Sequence, residues 1–200
     1  MKLVVNTFVT LDGVMQAPGG PDEDRDGGFE FGGWSFLYGD DEMGSTVQES
    51  IERASAYLLG RRTYDIFAAY WPQATTDLEI ANPFNSRPKY VVSNTLTDPT
   101  WEGTTVISGD AVAGVSRLKE QAGEELNVEG SAQLLQAIHP LVDEYRLWIC
   151  PVYLGKGKRL FEDGAQASGL ELVESRTNSK GAIYAIYRPT GRPETGSFGG

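Results

Sequence analysis

Two adjacent arginines follow a glycine in Gly60-Arg61-Arg62-Thr63, where an apolar run, Ala56-Tyr57-Leu58-Leu59, gives way to a helical pattern. At such a junction backbone N–H groups and the positive end of a helix converge, and guanidinium forks match a phosphate bidentately. A solvated helix start, with its arginines paired to an acidic surface, is the competing reading, and spacing leaves both open. Gly130-Ser131-Ala132-Gln133 repeats the arrangement. There Gly130 lets a diphosphate approach the backbone, and Ser131 either bonds an anion or simply caps a helix. Ser93-Asn94-Thr95 ends a third apolar run, as a polar strand end facing a ligand or as a turn that satisfies its own backbone. The dinucleotide fingerprint G-x-G-x-x-G follows none of the strands.

Other side chains are candidates for acid–base work or substrate binding. Asp12, before Gly13 at the end of the first strand, offers a carboxylate near the sheet centre, or makes an ordinary Asp-Gly turn. Asp41, with Asp40, is a candidate acid or a pair of helix-start charges. Gly155-Lys156-Gly157-Lys158-Arg159 sets three cations beside glycines, which suits either a substrate phosphate, through Lys156 and Lys158, or an exposed turn. His139 is the only histidine and precedes Pro140 at a helix end, so a Ser-His-Asp triad is not expected. With one cysteine, Cys150, neither an intramolecular disulfide nor a Cys/His metal site is expected.

The elements that must hold these residues alternate. Strands are expected at 2–11, 56–60, 89–93, 104–107, 126–129 and 144–153, with helices at 40–55, 61–70, 111–121 and 131–138. A final strand pair, 170–174 and 182–188, is antiparallel. The pattern predicts one α/β domain over residues 1–189, with a mixed, mainly parallel central sheet and helices on both faces. The first strand is central, because its apolar residues do not alternate. Residues 190–200 read as a flexible tail. Between Gly13 and Gly39 runs a long glycine-rich loop that carries Phe29, Phe31, Trp34, Phe36 and Tyr38, and also Asp22, Glu23, Asp24 and Asp26. Ligands of such sheets sit beyond the carboxyl ends of the strands, where the three junctions lie.

Across 200 residues, 17 Lys+Arg stand against 28 Asp+Glu, a formal net charge of −11. That argues against a nucleic-acid partner, which requires a concentrated basic face. No signal peptide is read at the start, no apolar run is long enough for a membrane span, and the cytoplasm is the expected location. The apolar strand Leu147-Trp148-Ile149, with the loop aromatics, suits a homodimer interface as well as a core.

Taken together and in order, the motifs are familiar. Phe8-Val9-Thr10-Leu11-Asp12-Gly13, Leu58-Leu59-Gly60-Arg61-Arg62-Thr63-Tyr64, Lys89-Tyr90-Val91-Val92-Ser93 and Glu129-Gly130-Ser131 come first. Leu141-Val142-Asp143-Glu144-Tyr145-Arg146-Leu147 and Pro151-Val152-Tyr153-Leu154-Gly155-Lys156-Gly157-Lys158-Arg159-Leu160-Phe161 complete the set. The chain resembles the dihydrofolate reductase-like superfamily. Within it, the likeness is to stand-alone proteins related to the C-terminal reductase domain of the bifunctional riboflavin-biosynthesis deaminase–reductase. The resemblance implies that fold and an NADPH cofactor held by Gly60, Arg61, Arg62 and Thr63, by Ser93, Asn94 and Thr95 near the 2′-phosphate, and by Gly130, Ser131, Ala132 and Gln133 under the diphosphate. It implies hydride transfer to a small heterocyclic or ribosylamino-pyrimidine substrate, as in 5-amino-6-(5-phosphoribosylamino)uracil reductases. Asp12, Trp34, Lys156 and Lys158 are the expected substrate contacts, and water or Asp12 and Asp41 the candidate proton donors. Reduction of a pterin, or a non-catalytic dimeric nucleotide-binding protein, are the alternatives.

Overall fold

The computed structural model describes residues 1–198. Its strands are β1 (Lys2–Thr10), β2 (Ala54–Gly60), β3 (Lys89–Val92), β4 (Thr104–Ile107), β5 (Glu125–Glu129), β6 (Glu144–Cys150), β7 (Gly169–Thr177) and β8 (Ile183–Gly191). Helices are α1 (Asp41–Arg53), α2 (Arg61–Tyr70), α3 (Leu78–Ser86), α4 (Ala111–Lys119) and α5 (Ala132–Ile138). All the strands join one sheet in the order β4-β3-β2-β5-β1-β6-β8-β7. The pairs from β4 to β6 are parallel, while β8 runs antiparallel to both β6 and β7. The fold class is therefore as the sequence implies, and β1 is central between β5 and β6.

Alternating strand residues explain the two-sided cover. Leu58 of β2 faces a core completed by Val115 and Leu118 of α4 and Leu134, Leu135 and Ile138 of α5. Its neighbours Tyr57 and Leu59 face the opposite way, onto Ile51 of α1, Tyr64 of α2 and Phe84 of α3. Burying apolar surface on both faces is what makes the inner strands read as near-continuous apolar runs.

The sequence gives no warning of α3. Pro83 lies inside it and removes a backbone donor. Packing overrides that: Phe84 stacks on Trp71 with ring centroids 5.2 Å apart, and Trp101 Nε1 donates to Asn85 Oδ1 at 2.8 Å. Strand β8 also runs further than expected, through Thr190 and Gly191, the first two residues of the segment read as a tail. The last two residues of that segment, Gly199 and Gly200, lie outside the described residues.

Strand β6 is enclosed between β1 and β8, with Leu147 and Trp148 buried in the core. It cannot serve as a dimer interface as the sequence reading allowed. In the long loop, Phe29 and Trp34 are buried against Val14, Met43 and Tyr184, whereas Phe31 and Phe36 are exposed. Among the described residues no helix is long and apolar enough to cross a membrane.

Candidate functional site

The middle of β1 and the carboxyl ends of β2 and β5 open onto a cavity of about 1130 Å³. One wall is made by the junctions Gly60-Arg61-Arg62-Thr63 and Gly130-Ser131-Ala132-Gln133, all of whose residues line it. The two junctions touch. A Cβ on Gly60 would lie 1.9 Å from Ser131 Oγ, and one on Gly130 would lie 3.4 Å from Thr63 Oγ1. Gly130 and Ser131 both have φ of +71°, a left-handed turn that glycine adopts freely and serine does at some strain. The result is two strand-to-helix turns at close quarters on the cavity wall, a cradle suited to an elongated ligand with negative charge.

The floor is a polar band that the sequence reading missed. Asn6 of β1 stands opposite Glu129 of β5 on one side and Arg146 of β6 on the other. Register partners on parallel strands share a face, so these side chains look the same way, and all three line the cavity. Ser50 Oγ of α1 donates to Asn6 Oδ1 at 2.7 Å, leaving Asn6 Nδ2 buried without a protein partner. Trp148 Nε1, two residues beyond Arg146 on the same face, is likewise buried and unpartnered.

Electrostatics differ sharply along this band. Arg146 donates bidentately to Glu125, at 2.7 and 2.8 Å, and through Nε to Glu144 Oε1 at 2.9 Å. That geometry offsets the desolvation of a buried charge. Glu129 has no such cation. Part of its surface opens on the cavity, but protein surrounds the rest, and burial pushes its carboxyl up to about 8 despite a hydrogen bond from Asn127. Signals for this band exist in the sequence as polar residues at alternate positions in strands, Glu125/Asn127/Glu129 and Glu144/Arg146.

The mouth is closed by residues 16–26 of the long loop. Asp24 bridges Arg62 and Lys158, at 2.8 Å to each, and Asp26 lies 2.9 Å from Lys158. Burial works against the Asp24 charge, but the bond from Lys158 and the nearby Arg62 more than offset it and hold the carboxyl below its usual value. Lys158 lines the cavity. Arg61 pairs instead with Asp65 one turn along its own helix, and its Nη1 donates to Thr95 Oγ1 at 3.3 Å.

Several expected site residues stand elsewhere. Asp12 is a turn tie: its carboxylate accepts from Thr10 Oγ1 at 2.5 Å, Gly155 N at 2.8 Å and Leu154 N at 3.2 Å. Asp41 is an exposed first-turn charge on α1, while Asp40 caps that helix by accepting from Met43 N at 3.0 Å. Neither Asp12 nor Asp41 lines the cavity, and the α1 residues that do are Thr46, Val47, Ser50 and Ile51. Trp34 is buried, with Nε1 donating to Gln16 O at 2.8 Å, and fastens the loop. Lys156 lies outside the cavity, over the ring of Phe31 and beside Glu30. Ser93 satisfies its own turn, its Oγ accepting from Leu96 N, while Asn94 Oδ1 accepts from Gly109 N in the loop after β4. For Asp12, Ser93 and Asn94, a backbone N–H of the protein claims the side chain before a ligand can.

Comparison with known proteins agrees with the architecture. The family model described as the RibD C-terminal domain matches residues 1–184. The uncharacterized protein YyaP of Bacillus subtilis (strain 168) is 30% identical over 195 residues, covering 95% of this chain and 96% of its own length. Among solved structures, a putative riboflavin biosynthesis protein from Shewanella sp. PV-4 superposes with a TM-score of 0.72 at 21% identity, covering 95% of this chain and 99% of that one. Dihydrofolate reductase from Enterococcus faecalis, complexed with NADP(H), superposes with a TM-score of 0.59 at 14% identity, covering 94% and 96% respectively. At these identities the structural likeness speaks for the fold.

Proposed function

The chain belongs to the family of the RibD C-terminal domain, and from that premise we propose that it is an NADPH-dependent reductase acting on a small heterocyclic substrate of the ribosylamino-pyrimidine kind. The observation that carries this reading is the pairing of a glycine cradle with a polar floor in one cavity of about 1130 Å³. The cradle fits the phosphate-bearing part of a dinucleotide, because two helix starts and the Arg62 guanidinium border one stretch of the cavity wall. When bound, NADPH supplies a hydride to a C=N or C=O carbon of the substrate.

Reduction of such a bond also needs a proton on the heteroatom. Glu129 is the cavity residue suited to hold it, since a carboxyl with a pKa of about 8 is protonated at neutral pH. Asn6 Nδ2 and Trp148 Nε1 are the donors free to orient acceptor atoms of a planar ring. Arg146, neutralised by Glu125 and Glu144, stiffens the floor on which that ring would lie. Reduction of a pterin is less well supported, because none of the α1 residues on the cavity wall is an acid.

The test is NADPH consumption, followed by nicotinamide absorbance, with the ribosylamino-pyrimidine and with dihydrofolate. Turnover of the first and not the second is expected. Failure of the protein to bind NADPH at micromolar concentration would sink the reductase reading.

A further inference from the structure

Arg62 and Lys158 come from distant parts of the chain, the first turn of α2 and the turn after β6, and meet on one carboxylate. Asp24 Oδ1 accepts from Arg62 Nε at 2.9 Å, and Asp24 Oδ2 from Lys158 Nζ at 2.8 Å. Arg62 is half-exposed, but the carboxylate it shares with Lys158 is not. The Asp24 side chain is only 10% exposed. Gln16 fixes the segment, donating from Nε2 to the backbone oxygens of Asp24 and Asp26 and accepting at Oε1 from Lys158 N. Arg61, in contrast, has an exposed partner, Asp65, on its own helix. Such pairs are weak and give way readily.

Both Arg62 and Lys158 line the cavity beside Gly60 and Thr63. A guanidinium and an ammonium gripping the two oxygens of a delocalised anion is the arrangement that would equally receive a phosphoryl group. We propose that Arg62 and Lys158 form a single phosphoryl-binding site and that Asp24 is its resident counter-anion, so that a ligand phosphate engages the site only by displacing Asp24. Asp24 thereby sets the threshold affinity for anionic ligands. The inference rests on the reductase reading for the identity of the ligand as a nucleotide, but its electrostatics do not depend on that identity.

The experiment compares wild type and Asp24→Asn in titrations with NADPH, NADH and inorganic pyrophosphate. Asp24→Asn leaves the cations unclaimed and is expected to bind NADPH and pyrophosphate about tenfold tighter, the scale of one lost charge-assisted competitor. An equal gain for NADH assigns the site to the diphosphate, and a gain confined to NADPH assigns it to the 2′-phosphate; both support the proposal. Unchanged or weaker binding of every probe overturns it and leaves Asp24 a merely structural tie. Asp26→Asn, at a half-exposed residue that adds a second carboxylate to Lys158, guards against misfolding of the first variant and should give roughly a twofold gain. Should neither protein bind a nucleotide, the reductase reading fails, and the pyrophosphate titration still decides this one.

Discussion

Gly60 and Ser131 stand in such close contact that a methyl group on the glycine would lie 1.9 Å from the serine Oγ. The ends of β2 and β5 are held together there, and the cavity wall depends on it. Gly60→Ala should therefore push the two junctions apart, destabilising the fold by about 1–3 kcal/mol as overpacking does and weakening NADPH binding. Adding Ser131→Gly removes both the clash and the positive-φ strain of Ser131. The double variant should recover most of the loss in denaturant unfolding. A single variant as stable as wild type would contradict the packing described.

Glu129→Gln separates chemistry from stability. If the protonated carboxyl is the proton donor, wild-type turnover falls as pH rises through about 8, and the variant loses turnover at every pH. The substitution moves stability opposite to turnover. A carboxyl raised in the folded state contributes its full stability below its ordinary value and loses it as pH rises through the folded value. Above that value the buried charge burdens wild type alone, so Glu129→Gln should melt higher than wild type in alkaline buffer. Equal melting curves there would refute the burial argument.

Asp12→Ala tests a structural role against a catalytic one. Removing the carboxylate takes the acceptor from the Leu154 and Gly155 amides, which are open enough to turn to water, so the cost is about 0.5–1.5 kcal/mol. Its hydrogen bonds outweigh burial and hold the Asp12 carboxyl below its usual value, so its contribution is present at neutral pH and is lost as the solution becomes acid. Thermal unfolding should show the loss, with NADPH affinity little changed. A collapse of turnover in a variant of undiminished stability would restore Asp12 as a catalytic candidate.

Arg146→Met removes the cation between Glu125 and Glu144. Breaking a buried pair from one side costs about 3–5 kcal/mol, because the remaining charge stays buried. Glu144 keeps Lys2 and Arg188, whereas Glu125 keeps only the looser Arg53. Combining Arg146→Met with Glu125→Gln should thus restore more stability than combining it with Glu144→Gln, read from unfolding midpoints.

Much of the frame was legible from periodicity. β4 falls on 104–107 as expected, and α2 on 61–70. α3 was not legible, because Pro83 argues locally against a helix that Trp71 and Trp101 hold in place from outside. The glycine junctions were legible too, since backbone approach and helix starts leave local marks. Ser93, Asn94 and Asp12 were not separable from turn residues, because whether a polar group meets a ligand or an amide of the protein depends on neighbours far away in sequence.

The sequence by itself determined the layered α/β sheet, the central place of β1 and the two junctions Gly60–Thr63 and Gly130–Gln133. Each rests on short-range rules: apolar periodicity, glycine at a positive φ, capping at a helix start. Only the tertiary structure decided that Asn6, Glu129 and Arg146 share one face and that Asp24 lies between Arg62 and Lys158. Those relationships follow from strand register and from how a loop docks, which no local pattern encodes. The physical reason is range: propensity acts over a few residues, while burial and charge pairing act between segments over a hundred residues apart.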